Sequence, residues 1–262
     1  MKSFNFHSVL SVKEASKLIT SRAKYLAGGM SIIPAVKLRL ASYSDLINIK
    51  KIKSLSGIKV SSKSLKIGSI TKHSEVASSQ EVKKTISSLS DLAEGIGDPQ
   101  VRNRGTIGGS IANNDPAADY PSACLALNAT IHTNSKKIAA DKFFTGMFET
   151  SLKKSELIES VEFQIPEKSG YSKFPNPASR YAIVGVFVAK FNKEVRVAIT
   201  GAASCVFRSP EIESALINNF VVERASFTGV EIGILQSIRE IPGFLAFTII
   251  FFLLLINLSF SR

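Results

Sequence analysis

The stretch VRNRGTIGGSIANNDPAADYP, residues 101–121, carries glycine at 105, 108 and 109, proline at 116 and 121, and almost no large apolar side chain. The sequence around it is that of an ordinary globular protein, so here the main chain itself is left open to use. Glycine permits φ > 0, and without a Cβ it lets the backbone come within hydrogen-bonding distance of a ligand. A second, shorter run has the same make-up: AGGMS at 27–31 and GTIGGS at 105–110 each pair glycines with a hydroxyl residue. Successive backbone N–H groups in such a turn converge on one point and form an anion-binding concavity. Ser31, Thr106 and Ser110 add hydroxyl donors. A pyrophosphate, with its spread of acceptor oxygens, suits two such turns facing each other; the plainer alternative is a pair of ordinary tight turns. Neither run is the dinucleotide fingerprint G-x-G-x-x-G, and no Walker lysine follows, so a nucleotide would be bound outside the Rossmann and P-loop designs.

A length of 262 residues allows one large domain or two small ones, and 45% hydrophobic residues are enough for real cores. The net charge is +12, and its distribution is uneven: residues 1–90 hold 16 Lys and Arg against 4 Asp and Glu, whereas residues 91–262 hold 17 of each. The basic first third reads as a solvated lysine-rich surface or, more sharply, as a face for an acidic partner or a phosphate-bearing ligand. Basic residues interleaved with stacking aromatics are missing, which argues against nucleic acid. Cysteine is limited to Cys124 and Cys205. That excludes a disulfide scaffold, points to a reducing, cytoplasmic setting, and excludes an iron–sulfur cluster held by this chain alone. His7, His73 and His132 are scattered without ligand spacing, so they read as surface or core residues and no metal is expected. No G-x-S-x-G elbow points to a hydrolase.

MKSFNFHSVLS lacks the apolar core and cleavage site of a signal peptide. At the other end, Ile241 to Ser261 is free of charge. Pro242, Gly243 and Asn257 shorten its useful apolar run to roughly 14 residues, at the margin for a membrane span. A disrupted terminus or a divergent buried helix is the preferred reading of this tail. A membrane anchor, which would hold the chain at the inner face of the membrane, is the alternative.

Along the chain, Ser11 and Glu14 form a capping-box signal for a helix. KYLAGG predicts a strand ending in glycines, SIIPAVKLRLA a helix with Ser31 as N-cap, and DLINIKKI a strand. GIKVSSKSLKIGSI predicts a hairpin. EVKKTISSLSDLAEGI has a 3.6-residue apolar period and predicts one helix. DYPSACLALNAT resumes as helix, and LIESVEFQIP is a strand. RYAIVGVFVAKF and EVRVAITGAA predict two long antiparallel strands joined near Asn192–Lys193, and SPEIESALINNF a helix capped by Ser209. Strands and helices mix without strict alternation, which argues for an α+β class. Proline, glycine and serine cluster around residue 170, and a boundary is expected there.

YLAGGMSIIPAVKLRL, GDPQVRNRGTIGGSIANNDPAADYP, YSKFPNPASRYAIVGV and VRVAITGAASCVFRSPEIESAL together resemble the FAD-binding medium subunit of the molybdenum hydroxylases. These include carbon monoxide dehydrogenase-type enzymes and the flavin domain of xanthine dehydrogenase. The resemblance runs from about residue 3 to about residue 220 and stops there. It implies the FAD-binding fold of the vanillyl-alcohol oxidase type, two α/β subdomains over 1–170, then a small C-terminal domain with a three-stranded antiparallel sheet over 171–222 and a divergent tail over 223–262.

The same resemblance implies residue roles. The first turn, Ala27, Gly28, Gly29, Met30 and Ser31 with Ile32 beside it, would bind FAD phosphates, as would Thr106, Ile107, Gly108, Gly109 and Ser110 of the second. Asp119 would contact the cofactor; like charges make it a poor phosphate ligand but a good acceptor for ribityl or ribose hydroxyls. Lys173 and Tyr181 would sit by the flavin ring or its edge, and Ile96 and Leu157 would add contacts. On residue type alone, Asp119 also reads as a helix N-terminal carboxylate, Lys173 as a solvated lysine and Tyr181 as a sheet aromatic.

The implied function is electron transfer. A large subunit holds molybdopterin and oxidises the substrate, a small subunit carries two [2Fe–2S] clusters, and electrons pass through FAD in this chain to a quinone, NAD or oxygen. No catalytic acid or base is expected here. Two alternatives stay open: a stand-alone FAD-dependent oxidoreductase of the same fold, and a cofactor-free basic or membrane-attached binding protein.

Overall fold

The computed structural model describes residues 2–222; the readings of the apolar tail, 223–262, fall outside the described residues. The chain begins with β1 (Asn5–Ser8), α1 (Val12–Leu18), β2 (Ala23–Leu26), α2 (Ile32–Lys37) and β3 (Asp45–Asn48). Its three strands are parallel, in the order β1-β3-β2. Helix α1 starts where the capping signal puts it. Ser11 Oγ accepts the Glu14 amide at 3.1 Å, and the Glu14 carboxylate accepts the Leu10 amide at 2.9 Å. Val9, Ala15, Ile47, Ile49 and Ile52 close a small core, to which Leu157 is added from far along the chain.

β4 (Ile58–Val60) and β5 (Ser64–Gly68) form the predicted hairpin. Next come α3 (His73–Ser78), α4 (Gln80–Thr85) and α5 (Ser87–Glu94). The single helix expected over this stretch is broken at Ile86, with φ −143° and ψ 78°. Thr85, Ile86, Ser87 and Ser88 place two β-branched residues and two serines in succession, which weakens a helix interior. The break still lets Val82, Ile86, Leu89 and Leu92 all reach the core.

α6 (Pro99–Arg102), α7 (Ile107–Asn113) and α8 (Tyr120–Ala126) precede β6 (Thr130–Thr133), β7 (Lys137–Ala139), the short hairpin β8 (Phe144–Gly146) and β9 (Glu149–Thr150), and β10 (Ile158–Gln164). An antiparallel sheet runs in the order β4-β5-β10-β6-β7. Leu65, Ile67, Ile131, Val161 and Phe163 from this sheet share the main core with Leu89, Ile111 and Ala123 from the helices.

The remaining elements are β11 (Lys168–Pro175), β12 (Ala182–Phe191), β13 (Glu194–Thr200), β14 (Phe207–Arg208) and α9 (Pro210–Val222). The Gly- and Ser-containing stretch around residue 170 is itself strand β11. β12 and β13 pair antiparallel across Phe191 and Glu194, as the sequence predicts. The sheet has four strands rather than three, because Phe207 and Arg208 add a short rung beside Ile199 and Ala198. Strand alternation gives this sheet two apolar faces. Phe187, Ala189 and Ala198 join the main core, while Val186, Val188, Val197 and Ile199 pack with Leu216 of α9. Arg196 fastens the inner face: its Nε donates to the Leu125 carbonyl at 2.9 Å, and its guanidinium pairs with the Asp141 carboxylate at 2.7 and 2.8 Å. Among the described residues no helix is long and apolar enough to cross a membrane.

Candidate functional site

The first glycine turn links β2 to α2. Gly29 has φ +81°, a conformation side chains rarely adopt. The amides of Gly28, Gly29, Met30, Ser31 and Ile32 donate to no acceptor among the described residues. Ser31 stands at the N-cap of α2, but its hydroxyl makes no capping bond. Five consecutive N–H groups and a hydroxyl are therefore available for an anion.

The second turn differs. Ile107 and Gly108 donate to the Thr71 and Ser69 carbonyls at 3.1 and 2.8 Å, and Ser110 donates to the Thr106 carbonyl at 3.0 Å. Gly109 donates to Thr106 Oγ1 at 3.2 Å. The first turn thus leaves its amides without an acceptor among the described residues, whereas the Ile107 to Ser110 amides of the second are all taken. In the second, the Ile107 and Gly108 amides strap the start of α7 to the segment between β5 and α3, and the Gly109 and Ser110 amides bond to Thr106 within the turn itself. Gly108 is needed for closeness: a Cβ there would lie 2.5 Å from that of Ser69. The two turns also touch, since a Cβ on Gly28 would lie 2.4 Å from the Arg104 carbonyl oxygen.

Both turns line one cavity of about 810 Å³, within the range of roughly 300–1,000 Å³ usual for small-molecule and cofactor sites. Ala27 to Ile32 line it, as do Thr106, Gly108, Gly109 and Ser110. Ile96, Asp119, Leu157 and Tyr181 reach the same space. Ile107 and Lys173 do not line it. Ile107 is wholly buried in the main core. Lys173 lies behind the wall, its ammonium 2.8 Å from Asp119 Oδ1. Only 9% of its side chain is exposed, so it is not a solvated lysine.

Asp119 occupies the N-cap position of α8 without making a capping bond. Its Oδ1 accepts from Lys173 and from the Tyr171 hydroxyl. Burial pushes its carboxyl above the usual carboxylate range, and the Lys173 ammonium opposes that rise. Burial and the neighbouring Asp119 charge together push the Tyr171 phenol well up, so it stays protonated and donates.

Other cavity residues carry no sequence signal of their own. His73 lines the cavity at the head of α3 and is 5% exposed. A Cβ on Gly105 would lie 2.5 Å from its Nε2. Burial, aided by the Arg102 charge, holds its imidazole down at about 4, so it is neutral. It is therefore a core histidine, as read, but one that faces the site. Phe148 also lines the cavity, with φ +56°. Its amide donates to the Asn114 carbonyl at 3.1 Å. Asn114 Nδ2 in turn donates to the Gly146 and Glu149 carbonyls at 2.8 and 2.7 Å. The β8–β9 hairpin is thus pinned to the end of α7, a contact between distant segments that no local pattern announces. Among the described residues no group of His, Cys, Asp and Glu side chains is placed to hold a metal.

This arrangement fits a dinucleotide. Amides without an acceptor among the described residues suit phosphate charge without a cation, the backbones of the two turns meet at Gly28 and Arg104, and apolar Ile96 and Leu157 share the space with Tyr181.

Comparison with known proteins agrees with that geometry. Residues 2–167 match the family described as the FAD binding domain in molybdopterin dehydrogenase. The chain is 35% identical over 227 residues to the glyceraldehyde dehydrogenase medium chain of Sulfolobus acidocaldarius, covering 82% of this chain and 81% of that one. It is 33% identical to the carbon monoxide dehydrogenase medium chain of Hydrogenophaga pseudoflava, covering 85% and 83%. The structure of carbon monoxide dehydrogenase from that organism, in a form lacking the Mo-pyranopterin moiety, superposes with a TM-score of 0.77 over 82% of this chain and 80% of that one, at 34% identity. Quinoline 2-oxidoreductase from Pseudomonas putida 86 shares the fold, with a TM-score of 0.78 at 24% identity over 83% and 81% of the two chains.

Proposed function

Because this chain belongs to the FAD-binding subunits of the molybdopterin dehydrogenases, a family of oxidoreductases, we propose that it takes electrons from [2Fe–2S] clusters of a small partner subunit and passes them through FAD to an external acceptor. Relatives named as medium chains or as subunits of complexes support a multi-subunit assembly. In this reading a large subunit holds molybdopterin and does the substrate chemistry. The two cysteines of this chain fall short of the roughly four that a cluster takes, which fits that division.

FAD supplies the redox chemistry, accepting electrons singly and releasing them in pairs. The chain's residues bind and orient it. The Gly28 to Ile32 amides and the Ser31 hydroxyl hold the diphosphate from one side. Ser110 adds a hydroxyl from the other, and Thr106, Gly108 and Gly109 form the wall that carries it. Asp119, paired with Lys173, accepts from a sugar or ribityl hydroxyl. Ile96, Leu157 and Tyr181 exclude water around the apolar parts. Ile107 acts from within the core by anchoring α7. The sheet of residues 171–222 is a small domain whose Tyr181 reaches the site of the 1–170 domain.

One observation carries this reading: five adjacent residues, whose amides have no acceptor among the described residues, line a cavity large enough for a dinucleotide. Stripping the purified chain of flavin and titrating it with FAD, FMN and ADP tests it. FAD and ADP are expected to bind in competition and FMN, which lacks the diphosphate bridge, to bind far more weakly. A chain that takes up FMN as well as FAD, or neither, would falsify the assignment.

A further inference from the structure

The β8–β9 hairpin reverses in two residues. Gly146 pairs with Glu149, so Met147 and Phe148 make the whole tip. Phe148 has φ +56°. A turn with φ > 0 at its second central residue takes glycine or asparagine there, and a bulky side chain in that conformation is an outlier. Packing does not offset the strain. Phe148 joins none of the apolar cores of the described residues, and it is 56% exposed. Its side chain lines the cavity instead.

Asn114 holds the tip in this state. Its Nδ2 donates to the Gly146 carbonyl at 2.8 Å and to the Glu149 carbonyl at 2.7 Å, one on each side of the tip, and its own carbonyl accepts the Phe148 amide at 3.1 Å. Asn114 is 1% exposed and ends α7 in a left-handed conformation of its own, φ 44° and ψ 51°. One helix therefore walls the cavity with its first turn and carries the hairpin at its last. Strain of this kind persists only where the surroundings over-determine it, and it gathers at ligand clamps. The clamp faces Tyr181. Burial raises the Tyr181 phenol and the Asp115 charge adds to the rise, so Asp115, next in the chain to Asn114, is a neighbour of that ring. Asp115, Phe148 and Tyr181 line the cavity together.

We infer that Phe148 is a further cofactor-contacting residue: its side chain covers the apolar ring system of FAD on the Tyr181 side of the cavity, and Asn114 is the positioning residue that keeps it there. The inference rests on the function proposed above and goes beyond it, because it assigns Phe148 to the ring end of the ligand and not to the diphosphate.

Titrating the flavin-stripped full chain with FAD and with ADP, which lacks the tricyclic ring, tests this. F148A keeps a Cβ on the strained backbone and removes the ring. It is expected to weaken FAD about tenfold and to leave ADP within about twofold of the unaltered chain. F148Y, which keeps an aromatic ring, should bind FAD within about threefold of the unaltered chain. In F148G, chemical denaturation of the FAD-free chain should show no loss of stability, since glycine adopts φ > 0 freely; a merely structural Phe148 would show a loss. N114G keeps the left-handed backbone and removes the amide. N114G/F148A should bind FAD within about twofold of F148A alone, because the first residue acts through the second. F148A binding FAD as well as the unaltered chain overturns the inference, as does an equal loss of FAD and ADP. Additive losses in the double variant overturn the part given to Asn114. If the unaltered chain takes up no FAD, the proposed function and the inference fall together; if it takes up FAD and F148A does so equally, the inference alone falls.

Discussion

The two glycine turns look alike in sequence and do different things in space. At 27–31 the chain leaves a strand, and the amides find no acceptor among the described residues; at 107–110 the amides bond to Thr71, Ser69 and Thr106. In the first turn glycine supplies a left-handed backbone at Gly29, and in the second it supplies close approach at Gly108 and Gly105. In the proposed function one turn is a surface for a ligand and the other is the wall that holds that surface in place. The same pattern of paired glycines and a hydroxyl can thus serve binding or packing, and the carbonyls nearby decide which.

The contrast is open to attack by substitution. G108A should strike folding first. Its methyl would meet the Cβ, Cα and carbonyl of Ser69 at 2.5, 2.9 and 2.7 Å, none of them easily displaced. A loss of about 3 kcal/mol, the upper end for overpacking, is expected in chemical denaturation of the FAD-free chain. A G108A chain as stable as the original would end the packing role of the second turn.

Acid should loosen the same wall through His73, which lies against Gly105. Its folded pKa is about 4 against an ordinary value of 6.5. The unfolded chain therefore binds the proton more readily, and stability falls as the pH drops from about 6.5 towards 4. The loss from this residue is on the order of 3 kcal/mol across that window. H73F, which cannot be protonated, should lose less stability over the same range; denaturation curves of the two chains with parallel pH profiles would refute this.

G29A addresses the other turn. A side chain at φ +81° is strained by about 1–2 kcal/mol. If that strain turns the amide row, FAD affinity should fall about tenfold or more by titration while the stability loss stays near the strain itself. The smallest effects belong to the hydroxyls. S31A and S110A should each weaken FAD by about 0.5–1.5 kcal/mol and leave stability unchanged, since Ser31 makes no capping bond. Equal losses of stability and affinity in either serine variant would blur the distinction between the turns.

Local chemistry was readable ahead of the structure where it acts over a few residues. The Ser11 cap, the 58–68 hairpin and the β12–β13 pair follow from short-range pattern, and both glycine runs stand out by composition. What the pattern does not hold is allocation between distant segments. Nothing near Gly108 states that the Ser69 carbonyl will claim its amide, and nothing near Lys173 names Gly95 and Arg180 as its acceptors. The break at Ile86 escaped because the apolar period continues through it. Phe148 escaped because its place depends on Asn114, which is far away in sequence.

The contact between Gly28 and the carbonyl oxygen of Arg104 has a consequence for how such a chain can diverge. It sets the span of the groove by one backbone resting on another, a gauge that no rotamer can alter. The side chains of Met30 and Arg104, both exposed, can change in size or charge without widening that span, whereas a single methyl at position 28 would pry it open.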